Sequence, residues 1–210
     1  METLTGLAQS VIEGDADKTQ RIVQELLNTG QNAKTLLDTL VSAMDQVGDE
    51  WRVGNMFIPE VLIAARAMQE GMKLLRPLLS EADSKVRGSI IIGTVQGDLH
   101  DIGKSLVGMM IEGAGFQVID LGVDVSPERF VQAVKKYQPD IVAMSTLLTT
   151  TISYMRDTIR SLEEAGLRNT VKVLVGGAPV TPEYASAIGS DGYAPDGATA
   201  VMKVRDLLGQ

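Results

Sequence analysis

The chain contains no cysteine and a single histidine among its 210 residues. Without cysteine there is no disulfide, no zinc–thiolate site, no iron–sulfur cluster and no cysteine nucleophile. No apolar run approaches the roughly 20 residues that a membrane-spanning helix needs, because Lys, Glu or Gly breaks the longest candidates, so no membrane partner is expected. The opening stretch METLTGLAQSVIEGDADKTQ lacks a basic region followed by an apolar one, and the cytoplasm is the expected location. Positive charge is in deficit too: 19 Lys and Arg face 27 Asp and Glu, for a net charge of −8. That balance opposes binding to phosphate backbones and anionic lipid, so no nucleic-acid partner is expected. What is present is a globular composition, 44% hydrophobic and 22% charged, with 21 glycines that imply many turns. At about 150 residues per domain, the length suits one large domain or two small ones.

Two periods divide the chain. Up to about Asp83 the apolar residues recur at helical spacing, as in Leu36, Leu37, Leu40, Val41, Met44, Val47 and Trp51, and again in Val61, Leu62, Ala65, Met68, Met72 and Leu75. This spacing predicts four helices. Gly14 and Gly30 end the first two, Asn32 caps the third, and Pro59 falls in the first turn of the fourth, where its missing N–H is tolerated. Short connections make the helices antiparallel neighbours, hence a four-helix bundle over residues 1–83. The polar, aperiodic run from Ser80 to Arg87 holds the linker, set at 84–87.

From Gly88 to Gln210, short β-branched runs alternate with amphipathic stretches. SIIIGTV precedes a helix through Met110, FQVIDLG precedes Pro127 to Tyr137, and DIVAMST precedes Ser153 to Ala165. VKVLVGG precedes a helix near Tyr184, and Tyr193 and Ala194 precede Thr199 to Leu208. Five strand–helix units predict a parallel sheet. Strands this apolar belong to a sheet covered on both faces, a doubly wound α/β domain of the Rossmann or flavodoxin-like kind. Such sheets bind ligands beyond the carboxyl ends of their strands, so the loop after the first strand matters most.

That loop reads Gly97-Asp98-Leu99-His100-Asp101-Ile102-Gly103-Lys104-Ser105 and carries the histidine. Three readings compete. Gly103-Lys104-Ser105 ends like a phosphate-binding loop, but that motif needs four residues between its glycines and here five separate Gly97 from Gly103. Asp98 and Asp101 would also face the phosphates. In a purely structural reading the aspartates and histidine cap a helix and the glycines relieve a turn. In the third, His100 is a metal ligand and Asp98 accepts its other ring N–H. One histidine cannot build a zinc site; a lone protein ligand makes sense where a macrocycle fills the remaining positions.

Asp98, His100 and Gly103 form D-x-H-x-x-G; 41 residues intervene before Ser145-Thr146-Leu147, and 28 more before Gly176-Gly177. The pieces fall at the ends of three successive strands. This spacing resembles the signature of corrinoid proteins that bind cobalamin base-off, with histidine on cobalt. The helical half, with Trp51, the run Met56-Phe57-Ile58-Pro59-Glu60-Val61 and the stretch to Pro77, is similar to the cap preceding the cobalamin domain in methionine synthase and in the small carriers of methanol, methylamine and methoxylated-aromatic metabolism. No catalytic barrel accompanies it, so the resemblance implies the carrier component of a methyltransferase system rather than a catalyst acting alone.

The resemblance assigns roles. His100 replaces the nucleotide-tail base as lower ligand to cobalt, Asp98 accepts its other N–H, and Ser145 extends the relay with Thr149 and Thr151 nearby. Gly97, Leu99, Asp101 and Ile102 complete the motif loop, Gly103 leaves room for the tail, and Leu147, Gly176 and Gly177 line its pocket. Tyr193, Ala194 and Asp196 contact the buried base. Trp51, Phe57, Ile58 and Val61 form an apolar lid over the methyl group, which periodicity alone reads as bundle core. The implied cofactor is cobalamin or a related corrinoid, cycling its cobalt between methylcobalamin and cob(I)alamin; protonating the His100–Asp98 pair on reduction helps imidazole leave.

The implied partners are a substrate-specific methyltransferase, a methyl-acceptor methyltransferase using tetrahydrofolate or coenzyme M, and a reductive activation protein. The acidic surface would favour a basic docking face on a methyltransferase. Reaching the methyl group requires the bundle to swing aside on the linker. Two other functions share the motif: a cobalamin-dependent sensor or regulator, which carries a DNA-binding domain in addition, and a subunit of an adenosylcobalamin mutase, which usually lacks the helical half.

Overall fold

The computed structural model describes residues 2–79 and 87–209. The linker segment 84–87 therefore lies outside the described residues except for Arg87. The chain divides into two compact units, Met1–Val86 with Glu112–Gly115, and Arg87–Ile111 with Phe116–Gln210.

The first unit is built from α1 (Leu4–Ile12), α2 (Ala16–Asn28), α3 (Ala33–Arg52) and α4 (Ile58–Leu75). Each start has a local cause. The side chains of Thr3, Asp15 and Asn32 accept hydrogen bonds from the backbone N–H groups of Gly6, Lys18 and Lys34 and so cap the first three helices. Pro59 is the second residue of α4, and the Glu60 carboxylate accepts from the Phe57 N–H at 2.8 Å. Helix α2 packs on α4, α1 on α3, α3 on α4 and α1 on α2. The faces they bury carry Leu7, Val11, Ile22, Val23, Leu36, Leu40, Val47, Ala64 and Met68, of which the 3.6-residue period names Leu36, Leu40, Val47 and Met68. The buried hydroxyls of Ser10 and Thr19 pair at 2.8 Å, so neither is left unsatisfied.

The second unit alternates β1 (Ser89–Thr94), α5 (Ile102–Gly113), β2 (Gln117–Asp120), α6 (Pro127–Tyr137), β3 (Ile141–Ser145), α7 (Ser153–Glu164), β4 (Lys172–Gly176), α8 (Pro182–Ala187), β5 (Gly192–Ala194) and α9 (Gly197–Leu208). All neighbouring strands are parallel, in the order β2-β1-β3-β4-β5. Strands β1, β3 and β4 bury nearly every residue, as a sheet covered on both faces requires, whereas β2 lies at an edge with Gln117 and Asp120 exposed. Helix α5 runs three residues beyond Met110. No helix among the described residues is long and apolar enough to cross a membrane.

Strand order corrects one sequence reading. The three motif pieces follow β1, β3 and β4, which are successive in the sheet and not in the chain. From β1 the chain moves outward to β2 and then returns to place β3 on the other side of β1. The crevice opened by this reversal, beyond the carboxyl ends of β1 and β3, is where doubly wound sheets hold ligands.

Candidate functional site

Asp98 organises the site. It is fully buried, and both of its oxygens are occupied. Oδ1 accepts the His100 backbone N–H at 3.0 Å and the His100 ring Nδ1–H at 2.7 Å. Oδ2 accepts the Thr146 hydroxyl at 2.9 Å and the backbone N–H groups of Leu147 and Leu148 at 2.6 and 3.3 Å. Burial alone would raise the pKa of this carboxyl. The bonds from the His100 N–H, the Leu147 N–H, the His100 ring and the Thr146 hydroxyl outweigh it and hold the group well below the usual carboxylate range. The result is a fixed anion that ties the loop after β1 to the loop after β3.

His100 is held at three points. Its N–H and Nδ1 go to Asp98, and its carbonyl accepts the hydroxyl of Thr94 at 2.9 Å. In the neutral ring, an Nδ1–H donated to the carboxylate leaves the lone pair on Nε2, on a side chain that is 54% exposed. An open, oriented imidazole nitrogen backed by a carboxylate has the arrangement a metal-ligating histidine needs. No cluster of three or more His, Asp or Glu able to hold a bare ion occurs among the described residues. The donor set therefore fits a metal that brings its other ligands with it.

The surroundings fit a large, mostly apolar group. Leu99, Ile102 and Leu147 are 71%, 85% and 48% exposed, an expensive display of apolar surface around a single histidine. Asp101 and Thr149 are also exposed. A Cβ built on Gly103 would meet nothing within 4 Å. Gly177 is the opposite case: its φ is +119°, and a Cβ there would lie 1.9 Å from the Thr146 carbonyl oxygen. A Cβ on Gly176 would meet the Ala194 carbonyl oxygen at 2.5 Å. These two glycines are demanded by backbone packing, whatever else lines the crevice.

The remaining candidates separate. Ser145 is in register with Thr94 and Gly176, and the hydroxyl that reaches Asp98 belongs to Thr146 beside it. Thr146 in turn lies 2.7 Å from the Thr151 hydroxyl, both being buried. Tyr193 is half-buried against the sheet core and Ala194 is buried. Asp196 caps α9, accepting the Thr199 N–H at 2.8 Å. In the helical unit Phe57 and Ile58 are 69% and 47% exposed, Trp51 is half-buried and Val61 is buried.

Four residues that shape the loop receive no such role from the sequence: Thr94 and Asp124 are not singled out, and Thr146 and Lys104 are named within motifs without their partners. Thr94 and Thr146 are buried hydroxyls at strand ends, Lys104 is a buried cation paired with Asp120, and Asp124 is a non-glycine residue at φ 52°. Asp124 accepts the Gly97 N–H at 2.7 Å and donates its own N–H to the Asp98 carbonyl at 3.0 Å. A polar residue closing an otherwise apolar strand was the available signal for the two threonines. Pairing of Lys104 with Asp120 also removes the cation on which a phosphate-loop reading depends.

Comparison with known proteins agrees with this geometry. Residues 88–204 match a family described as a B12 binding domain, and residues 3–76 match a second family with the same description. The chain is 38% identical over 214 residues to a corrinoid protein of Desulfitobacterium hafniense (strain Y51), covering 100% of this chain and 99% of that one. It is 41% identical over 209 residues to dimethylamine corrinoid protein 1 of Methanosarcina acetivorans, covering 99% and 98%. Among solved structures, a cobalamin-binding protein from D. hafniense DCB-2 superposes with a TM-score of 0.80 at 32% identity, over 99% of both chains. The methanol:cobalamin methyltransferase complex MtaBC from Methanosarcina barkeri superposes with a TM-score of 0.89 at 28% identity, over 98% of this chain and 79% of that one. The chain belongs to the B12-binding corrinoid proteins.

Proposed function

We propose that this protein is a methyl carrier that binds a corrinoid base-off, with His100 as the lower ligand to cobalt. The observation that carries the reading is the half-exposed imidazole whose Nδ1 is bound at 2.7 Å by a fully buried carboxylate. The bound corrinoid supplies a cobalt centre able to accept a methyl group from one partner and release it to another. The chain itself supplies position and basicity. Asp98 keeps the proton on Nδ1, so that Nε2 is the donor, and lends the imidazole anionic character. Thr146 and Thr151 extend this hydrogen-bonded pair into the loop after β3, giving the buried anion a polar path.

Gly103, with open space where a Cβ would stand, leaves the passage for the nucleotide tail, and Leu147, Gly176 and Gly177 line it. Tyr193 and Ala194 on β5 and Asp196 at the start of α9 are assigned to contact the buried base. The partners of such a carrier are a substrate-specific methyltransferase, a second methyltransferase passing the group to tetrahydrofolate or coenzyme M, and a protein that restores the reduced cofactor. Relatives named for dimethylamine and trimethylamine, and a neighbour in a methanol complex, support a small methylated compound as the methyl donor.

The test is the ultraviolet–visible spectrum after incubation with hydroxocobalamin and desalting. Wild type retains corrin absorption with a base-off, His-on spectrum, and His100→Ala retains a different one lacking the axial nitrogen. Absence of retained corrin in the wild type sinks the reading.

A further inference from the structure

Thr94 is the last residue of β1, which otherwise runs Ser89-Ile90-Ile91-Ile92-Gly93 and is apolar after its first residue. Its relative exposure is 0%, so its hydroxyl has no access to solvent. A buried hydroxyl needs a partner, and this one donates to the carbonyl of His100 at 2.9 Å, across the whole motif loop. The backbone of Thr94 is itself immobilised. Its N–H donates to the Gly122 carbonyl at 3.0 Å, and its carbonyl accepts the Val125 N–H at 2.9 Å, so the edge beside β2 clamps it from both directions. The hydroxyl is therefore a rigid post at the sheet end.

The two anchors on His100 do different work. Asp98 Oδ1 takes the ring Nδ1 and the His100 backbone N–H together, so one oxygen holds that side of the residue, and the ring has a single contact about which it can still pivot. Thr94 holds the main chain of the same residue and so restrains the direction in which its Cα–Cβ bond leaves the loop. With the side chain 54% exposed, packing contributes little to that restraint. We propose that Thr94 is a positioning residue for the axial ligand: its hydroxyl, through the His100 carbonyl, aims Nε2 at the metal of the corrinoid. This inference rests on the corrinoid reading above and adds to it a residue outside the D-x-H-x-x-G, S-x-L and G-G pieces.

The test compares Thr94→Val with Thr94→Ser. Valine keeps the shape and the strand preference and removes the hydroxyl, whereas serine keeps the hydroxyl and removes a methyl. Each variant is loaded with hydroxocobalamin, and the His-on fraction is read from the visible spectrum and from nitrogen superhyperfine splitting in the paramagnetic resonance of the cobalt(II) form. Thr94→Val is expected to retain corrin but to shift the His-on to His-off ratio about tenfold toward His-off, the scale of one lost hydrogen bond. Thr94→Ser is expected to stay within about twofold of wild type.

A Thr94→Val protein that is as fully His-on as wild type overturns the proposal. So does equal loss in both variants, which would assign the effect to packing at this position rather than to the hydroxyl. Should the valine variant fail to fold, Thr94→Ala against Thr94→Ser isolates the same oxygen atom, judged by the same criterion. Failure of the wild type to retain corrin is a separate outcome and defeats the corrinoid reading instead.

Discussion

At the scale of single residues, the site turns on one carboxylate with five donors around it. Asp98→Asn places an amide N–H₂ among groups that all donate, and is expected to destabilise the corrinoid-free protein by about 2–3 kcal/mol at neutral pH. Denaturant unfolding measures this. The pH dependence has a definite sign. A carboxyl whose folded pKa is depressed contributes stability that is complete above its unfolded value, about 4, and is lost as pH falls toward the folded value. Below about pH 4 the gap between wild type and Asp98→Asn should therefore narrow as the pH falls further. A gap that widens on acidification would contradict the assignment. Asp98 and His100 were legible in the sequence because their spacing is local. Thr146 was not, because its bond to Asp98 spans 48 residues and depends on β3 lying beside β1, which no periodicity encodes.

At the scale of elements, helices and strands were readable wherever a period or a cap carried them: α6 begins and ends at Pro127 and Tyr137, and Asn32 caps α3. The strand order was not, since the return of β3 to the far side of β1 is set by tertiary packing and not by any local period. Two predictions belong here. Lys104 on α5 reaches Asp120 at the end of β2, with the lysine side chain 2% exposed and the aspartate 46%. Their loss should be unequal. Asp120→Asn leaves a buried ammonium without its counter-charge and is expected to cost about 3 kcal/mol, whereas Lys104→Met leaves a carboxylate that water reaches and should cost about 1 kcal/mol or less. Equal costs in thermal or denaturant unfolding would refute this asymmetry.

The second concerns two motif glycines with opposite reasons to be glycine. Gly177→Ala drives a Cβ into the Thr146 carbonyl at a positive φ and should destabilise the protein by about 3 kcal/mol or more. Gly103→Ala adds a methyl to open space within α5 and should leave the melting temperature unchanged or slightly raised. Its effect is expected in corrinoid retention alone, read by equilibrium binding of hydroxocobalamin.

At the scale of the molecule, His100, Asp98, Thr94, Thr146, Gly176 and Gly177 all belong to the unit that begins at Arg87. A fragment of residues 87–210 is accordingly expected to unfold cooperatively and to retain hydroxocobalamin with the His-on spectrum. Loss of corrin in a folded fragment would show that the helical unit takes part in holding the cofactor.

The bonds that shape the site also set when it can exist. Asp98 is completed by residues 48 to 50 positions later, and the Thr146 carbonyl approaches the backbone of Gly177. On the ribosome, the D-x-H-x-x-G loop thus emerges well before the partners that give it shape, and closing such long loops waits on the sheet. The nascent chain has no formed ligand site until β4 and its glycines are out. On the proposed corrinoid reading, cofactor insertion therefore follows the synthesis of β4 instead of accompanying that of the motif loop.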